Sequence, residues 1–334
     1  MKRLLTTAAV LAALGLPGMA PAQDKLQLAL VPKAMNNPFF DLARDGCYKA
    51  AEEDTSLECV YIGPGEHTEL EQIQIVQDLI SQGVDGIAVA PSNAPAMGKA
   101  LQAAAEAGIP VITWDSDVLP EDKALRATYL GTKNYDIGVN LAKIAQGLHP
   151  DGGTLCLQTG GAAAANHNER LLGIRETLAG TSGGTPPGNP LAGEGGWTEV
   201  AGCPLITDDD GNKAVQGMTD ILAKEPNLTA FISTGAFTQW FDNAYTQAVE
   251  PYKAKLDSGE LSIIVADTLP MQMAALKAGL SNGQVGQRPF EMGYKAMFIL
   301  KDMQAGTMPE DPIFTGLDVC TADNVDTCLG AGGS

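Results

Sequence analysis

Histidine is scarce in this sequence, and no two cysteines form a C-x-x-C pair. The three histidines, His67, His149 and His167, are scattered along the chain. A structural zinc site needs several cysteine or histidine ligands at short spacings. The sequence therefore predicts no metal site.

The glycine motifs of nucleotide-binding and nucleophilic sites are also missing. Gly63 and Gly65 follow a predicted strand without the third glycine of a dinucleotide loop, and there is no P-loop. The segment Gly180–Gly184 fits the pattern G-x-S-x-G, but it lies in a stretch rich in glycine and proline, Gly180–Gly196, and not between a strand and a helix. We predict a surface loop there, no catalytic residue and no cofactor.

Positive charge is in short supply: 21 Lys and Arg stand against 40 Asp and Glu, a net charge of −19. Residues 1–22 hold Lys2 and Arg3 and no acidic residue, so the chain without them carries −21. Nucleic acids and anionic lipid surfaces attract basic proteins. We therefore expect neither as a partner.

No apolar run here reaches the roughly 20 residues that span a bilayer as a helix. The run Leu4–Leu16 follows Lys2 and Arg3 and leads into the small residues Ala20, Pro21 and Ala22. This pattern predicts a secretory signal peptide over residues 1–22, cut after Ala22. No cysteine stands at the cut, so we expect neither a lipid anchor nor direct membrane insertion.

What the chain does have is a regular alternation of strand-like and helix-like segments. Its 334 residues are too many for one compact core, which favours two domains. Ten strands are predicted, too many for one sheet, and alternation with helices predicts mostly parallel sheets covered on both faces. The predicted strands are Lys25–Val31, Glu58–Ile62, Gly86–Ala90, Pro110–Asp115, Ala127–Leu130, Thr154–Gln158, Glu199–Cys203, Ala230–Ser233, Ser262–Asp267 and Val285–Gln287. The predicted helices include 38–54, 68–82, 93–107, 134–148, 210–224 and 289–305.

The stretch Asn36–Phe40 joins the first strand to the first helix. Pro38 suits the first position of a helix, and Asn37 suits the N-cap before it. Ligands of open α/β sheets bind just beyond the carboxyl ends of strands. An amide beside Phe39 and Phe40 suits a sugar or polyol, whereas the alternative is that Asn37 only caps the helix and both rings only fill the core.

Other polar residues stand at the same topological place, where a predicted strand ends. Any one of them alone is as well explained as a helix cap, but together they predict one polar site, since carboxylates accept from hydroxyls and Arg and Asn donate to them. These residues are Asp115, Asn168, Arg170, Asp267 and Gln287.

With these motifs, the chain resembles the periplasmic sugar-binding proteins of the ribose-binding type, the solute receptors of ABC importers. The resemblance runs from about residue 25 to about residue 320. It rests on the segments Asn36–Phe40, Ile109–Asp115, Asn168–Arg170 with Gly173, Ile264–Asp267 and the segment around Gln287.

The resemblance implies how the site residues act. Asn37, Asp115, Arg170, Asp267 and Gln287 would bind hydroxyls, with Asn168 beside them, and Phe39 and Phe40 would cover a ring face. Thr234 stands where Asn or Asp is common, and Trp240 opens the next helix and would line the pocket. Ser116 stands where the ribose-binding pattern has Arg, which argues against ribose itself.

The resemblance also implies two Rossmann-like domains joined by three hinge crossovers, with the ligand in the cleft between them. The predicted domains are 23–132 with 289–316, and 133–288 with 317–334. The predicted crossovers lie near 131–134, 265–268 and 287–290.

Six cysteines behind a secretory signal predict disulfide bonds. One pair would join the first helix to the second strand, one would join two neighbouring strands of the second domain, and one would close a short loop in the tail. The alternative is that some are merely buried small residues. The predicted pairs are Cys47–Cys59, Cys156–Cys203 and Cys320–Cys328.

The function that the resemblance implies is that of a periplasmic receptor, which delivers a monosaccharide or sugar alcohol to an ABC permease without catalysis, and we expect it to be a monomer. An alternative is a secreted sugar hydrolase with Asp115 and Asp267 as its acid and base. A repressor of the related family would need a DNA-binding helix pair where the signal peptide stands, and the acidic charge argues against it.

Overall fold

A computed structural model describes residues 25–329 of the chain, and the predicted signal peptide at 1–22 lies outside them. The strands are β1 (Leu26–Val31), β2 (Leu57–Tyr61), β3 (Gly86–Val89), β4 (Val111–Trp114), β5 (Tyr129–Gly131), β6 (Gly153–Thr159), β7 (Trp197–Glu199), β8 (Leu205–Ile206), β9 (Ala230–Ser233), β10 (Ser262–Ala266), β11 (Gly283–Gly286), β12 (Ile313–Phe314) and β13 (Asp318–Thr321). The α-helices are α1 (Pro38–Glu53), α2 (Glu69–Gln82), α3 (Ala94–Glu106), α4 (Asn134–Leu148), α5 (Ala165–Ala179), α6 (Gly211–Lys224), α7 (Asp242–Val249), α8 (Lys253–Ser258), α9 (Pro270–Lys277) and α10 (Pro289–Gln304).

The strands form two sheets, as the alternation predicted. The first has the order β12-β5-β4-β3-β1-β2 and is parallel throughout. The second has the order β13-β11-β10-β9-β6-β7, with β8 also paired to β6. Its strands are parallel except β13, which runs antiparallel to β11. The prediction of two mostly parallel α/β sheets is confirmed.

Both faces of each sheet are covered, and β1 shows how. Leu28 and Leu30 pack into the core under α1 and α10, whereas Ala29 and Val31 pack into the core on the opposite face, with Val76 and Met97. Successive side chains of a strand point to opposite faces, so a strand buried on both faces is apolar at every position. The second sheet has two such cores as well.

The chain passes between the two sheets three times. It leaves the first sheet after β5, returns after β11 through α10, and leaves again between β12 and β13. The crossover predicted at 265–268 was wrong, because β10 pairs with β9 and β11 within the second sheet. The third crossover lies instead between Phe314 and Asp318.

Two helix pairs, one beside each sheet, pack closely through glycine. A Cβ added to Gly46 or Gly293 would lie within 2.1 Å of a carbonyl oxygen of the partner helix in the pair α1 and α10. In the pair α4 and α5, a Cβ added to Gly138 or Gly173 would likewise lie within 2.2 Å of a carbonyl oxygen of the partner helix. Only glycine allows these backbones to approach so closely.

The predicted disulfides Cys47–Cys59, Cys156–Cys203 and Cys320–Cys328 are all present. The strand predicted to carry Cys203 is different, however: β7 ends at Glu199 and Cys203 lies in the following turn. Gly202 takes a left-handed φ of 95° there, and Pro204 has no N–H to donate to a neighbouring strand. The two Cα atoms are still 5.4 Å apart, so the pairing does not need the longer strand.

Within residues 25–329, no helix is both long enough and apolar enough to cross a bilayer. The same part of the chain contains no group of three or more His, Cys, Asp or Glu side chains that could hold a metal ion.

Candidate functional site

A cleft lies between the carboxyl ends of the two sheets. Its residues follow β1 and β4 of the first sheet and β6, β8, β9, β10 and β11 of the second. The first half contributes Lys33, Asn37, Phe39, Phe40 and Asp115, and the second contributes Asn166, His167, Arg170, Asp209, Gly235, Ala236, Phe237, Trp240, Asp267 and Gln287.

Asn37 serves both as a helix cap and as a residue of the cleft. Its Oδ1 accepts a hydrogen bond of 2.9 Å from the Phe39 N–H at the start of α1, with Pro38 at the first helical position. The cap uses the side-chain oxygen only, so the amide nitrogen remains a donor for the cleft. The two interpretations of this residue are therefore compatible.

Aromatic rings reach the cleft from both sides. Phe39 and Phe40 are buried and meet edge to face, with ring centroids 5.3 Å apart. Phe237 and Trp240 meet in the same way at 5.4 Å on the opposite wall. Trp114 packs on Phe40 in the core. Such rings supply apolar faces for the C–H groups of a ligand.

Asp115 is the centre of a buried network that joins the two halves. Lys33 Nζ lies 3.1 Å from its Oδ2 and donates 2.9 Å to Asn166 Oδ1, and Asn166 Nδ2 donates 3.3 Å to Asp115 Oδ2. Arg170 Nη2 lies 3.8 Å from its Oδ1. Lys33 and Asp115 come from the first half and the other two from the second, so this network closes across the cleft.

Arg170 is held rigidly although it is buried. Its Nε and Nη2 both donate to Asn134 Oδ1, at 2.9 and 2.8 Å, and its Nη1 donates 2.8 Å to the Thr234 carbonyl. Asn134 is the first residue of α4, directly after a crossover. The guanidinium thus has a fixed position before any ligand arrives, which is the preorganisation that binding sites need.

Asp267 closes β10 and has amide partners instead of cations. Its Oδ1 accepts 2.8 Å from Gln287 Nε2, and its Oδ2 accepts 3.2 Å from the Ala236 N–H. Burial raises the pKa of Asp267 above its ordinary value, against the opposing effects of Arg170 and Gln287. Gln287 Oε1 is buried without a partner among the described residues, and so is available as an acceptor.

Three residues predicted for the site do not line this cleft. Thr234 turns inward, where its hydroxyl contacts Thr159 and its carbonyl holds Arg170. Asn168 lies on the outer side of α5 and donates 3.0 Å to the Ala162 carbonyl. Ser116 is buried beyond Asp115, whose left-handed φ of 58° turns the chain away.

The cleft also contains five residues that the sequence patterns did not indicate: Lys33, Asn166, His167, Asp209 and Phe237. A signal existed for two of them, because Asn166 and His167 precede Arg170 by four and three residues in α5 and so lie on its face. Lys33 lies four residues before Asn37 in the loop after β1, and a loop has no periodicity from which the direction of a side chain could be predicted. The signal for Asp209 was weaker still, since it stands between two other aspartates.

Comparison with known proteins agrees with this architecture. A model of the periplasmic binding protein domain matches residues 28–308. The ribose import binding protein RbsB of Salmonella typhimurium is 24% identical over 92% of this chain and 94% of its own.

Solved structures agree as well. An ABC transporter solute-binding protein of Burkholderia graminis, solved in complex with D-arabinose, is 29% identical, with a TM-score of 0.77 over 92% of this chain and 99% of that one. A solute-binding protein of Agrobacterium vitis with bound D-fucose is 23% identical, with a TM-score of 0.80 over 90% and 97%, and supports the fold alone. With two parallel sheets, three crossovers and a polar cleft between them, the chain belongs to the periplasmic binding protein family.

Proposed function

We propose that this protein is a periplasmic receptor that binds a monosaccharide or sugar alcohol in its cleft and delivers it to an ABC import permease. The observation that carries this proposal is the composition of the cleft: hydrogen-bonding groups from both halves converge between two pairs of aromatic rings. Hydroxyls need the polar groups, and the C–H faces of a sugar need the rings.

The lining of the cleft supports the proposed ligand contacts. Asn37, Asp115, Arg170, Asp267 and Gln287 bind hydroxyls in this proposal, and all of them line the cleft. Phe39 and Phe40 cover one ring face, as the sequence predicted. Trp240 lies on the opposite wall, and its indole Nε1 is buried without a partner among the described residues, so it is a donor for a ligand oxygen.

Delivery to a permease requires that the receptor open and close. We propose a first domain of 23–132 with 289–316 and a second of 133–288 with 317–334, which hinge at the three crossovers. The network of Lys33, Asp115 and Asn166 would break on opening and form again on closing. We expect the protein to act as a monomer and to reach the periplasm through the signal peptide at 1–22.

The hydrolase alternative finds no support in the site. Asp115 is paired with Lys33 and Asp267 is held by Gln287 and a backbone N–H, so neither is placed as a free acid or base. The relatives described above are named as binding proteins.

A panel of sugars and polyols, screened by thermal shift and followed by calorimetry, tests the proposal. A ligand at 100 times its dissociation constant should stabilise the protein by roughly 2.7 kcal/mol. The best binder, labelled and incubated with the protein, should be recovered unchanged. Conversion of the label, or no stabilisation by any sugar or polyol, would contradict the proposal.

A further inference from the structure

Three consecutive aspartates precede α6, and the structure gives each a different environment. Asp210 is the N-cap, since its Oδ1 accepts from the N–H groups of Asn212 and Lys213. Asp208 is exposed and forms an ion pair of 2.6 Å with the Lys213 ammonium. Asp209, between them, does neither and points into the cleft.

Asp209 is buried with an unpaired oxygen. Its side chain is 3% exposed, and its Oδ1 has no hydrogen-bond partner among the described residues. His167 Nε2 lies 3.6 Å away, beyond hydrogen-bonding distance. A buried acceptor without a donor is costly. The cost is relieved if a ligand in the cleft supplies the donor.

His167 does not neutralise this carboxylate. Burial, helped by the charges of Lys33 and Arg170, holds the pKa of His167 well below its ordinary value, so the imidazole is neutral at neutral pH. Its Nδ1 lies 3.0 Å from Thr234 Oγ1 and is hydrogen-bonded to that hydroxyl. Its Nε2 therefore stands free beside Asp209 as a second polar atom for a ligand.

The backbone is shaped to place this pair. Asp208 and Asp209 both adopt left-handed φ values, 53° and 54°, which are uncommon for residues other than glycine. A Cβ at Gly160 would lie 2.0 Å from Asp209 Oδ1 and 2.6 Å from His167 Nε2, so glycine leaves the two side chains their space. Conformations of this kind are often retained at functional sites.

The charges of the cleft limit what can bind there. Among the residues that line it, the cations Lys33 and Arg170 both lie within 4 Å of Asp115, at 3.1 and 3.8 Å. Both cations are thus already paired with the Asp115 carboxylate. An acidic solute would find no unpaired cation and would be repelled by Asp209.

We propose that Asp209 is a specificity-determining residue of the cleft: it accepts a hydrogen bond from one hydroxyl of a neutral sugar or polyol, beside His167, and it excludes solutes that carry a carboxylate or phosphate. This inference rests on the proposed function. It adds that the sugar or polyol is uncharged, and it names a residue that selects it.

The first test compares Asp209→Ala with Asp208→Ala. Both remove a carboxylate from a residue with left-handed φ in the same turn, so backbone strain is matched, but Asp208 faces solvent. Calorimetry with D-ribose, D-allose, D-arabinose, D-galactose, D-sorbitol, xylitol and myo-inositol identifies the tightest neutral probe. For that probe we expect Asp209→Ala to weaken binding about 10- to 100-fold, and Asp208→Ala to change it less than about 2-fold.

The second test addresses charge and also serves if Asp209→Ala does not fold. Each neutral probe is paired with a sugar acid of the same skeleton: D-galactose with D-galacturonate, D-sorbitol with D-gluconate and D-ribose with D-ribonate. In Asp209→Asn the preference for the neutral partner should fall about 10-fold or more, because one repelling charge is gone. A purely structural role of Asp209 would weaken both partners equally.

The outcomes distinguish failure of the proposed role of Asp209 from failure of the proposed receptor function. If neutral probes bind the wild type, but Asp209→Ala binds them equally well or Asp209→Asn keeps the full preference against acids, the role of Asp209 is wrong and the receptor function stands. Tighter binding of the acids to the wild type would also overturn it. If no neutral sugar or polyol binds the wild type, the proposed function fails, and the role of Asp209 with it.

Discussion

Asp115 and Asp267 occupy equivalent places in the two halves, and yet they have different electrostatic surroundings. Each directly follows a strand, has a left-handed φ of 58° or 73° and is at most 6% exposed. Asp115 faces two cations, Lys33 and Arg170, whereas Asp267 receives hydrogen bonds from an amide and a backbone N–H. The same local backbone geometry therefore holds two different carboxylates: Asp115 balances buried positive charge, whereas the ionisation of Asp267 is opposed by burial.

The largest expected effect is on stability, in Asp115→Asn. Asparagine tolerates the left-handed backbone and keeps the shape, but it leaves Lys33, which is 1% exposed, without its counterion. Loss of one partner of a buried pair costs about 3–5 kcal/mol. Urea denaturation should show this loss. Asp267→Asn leaves no cation without a counterion, so its free energy of unfolding should stay within about 1 kcal/mol of the wild type. Equal losses in both variants would remove the difference between the two carboxylates.

Arg170→Ala should affect ligand binding next most strongly. The guanidinium is preorganised by Asn134 and Thr234 and lies at the junction of the two halves. We expect calorimetry with the best neutral sugar to show a loss of about 2–3 kcal/mol while the variant remains folded, since Asp115 keeps Lys33 as a partner. Arg44→Ala, at a partly buried arginine of α1 that does not line the cleft, is the control and should bind as the wild type does. An unchanged affinity in Arg170→Ala would exclude this residue from the site.

His167 should make stability depend on pH. Its folded pKa is well below the ordinary value of 6.5, so the unfolded state takes up the proton first as the pH falls. The stability is complete above pH 6.5 and is lost as the pH falls from there toward the folded pKa. In His167→Gln the slope of the unfolding free energy below pH 6.5 should be shallower than in the wild type. An identical slope would mean that the histidine is not buried as described.

Asp267 should give a weaker slope of opposite sign. Its folded pKa is above the ordinary value of 3.8, so the folded state holds the proton longer than the unfolded state does. Its contribution is complete below pH 3.8 and is lost as the pH rises through the folded pKa. The difference in unfolding free energy between wild type and Asp267→Asn, measured across this range, should follow that direction. A difference that does not change with pH would argue against the burial effect.

Asp115, Asp267 and Gln287 were predictable from sequence for one physical reason. Carboxyl ends of parallel strands meet at one edge of a sheet, so a polar residue that ends an apolar run is placed there by topology alone. Lys33 and Asp209 lie in loops whose direction depends on the backbone angles of neighbouring residues, which no apolar pattern encodes. Ser116 was named only from its position in the ribose-binding pattern, and the left-handed φ of Asp115 directs the chain after it away from the cleft.

The order of strands within a sheet was also beyond the sequence pattern. The error at 265–268 arose because the pattern that identifies β10 as a buried strand is silent on which strands flank it. The strands β12 and β13, which flank the third crossover, were not predicted either. The disulfide Cys156–Cys203 was predicted correctly from neighbouring strands, although the chain brings Cys203 there by a turn.

The close glycine contacts between helices bear on how the receptor would open and close. In each half, a helix that begins at a crossover, α10 or α4, is locked against a helix that carries cleft residues, α1 or α5. Backbones in direct contact cannot slide past one another without steric overlap, so we expect each pair to move as one rigid unit. In the proposed hinge motion, a ligand that draws Asn37 or Arg170 across the cleft would therefore move both helices of the pair together.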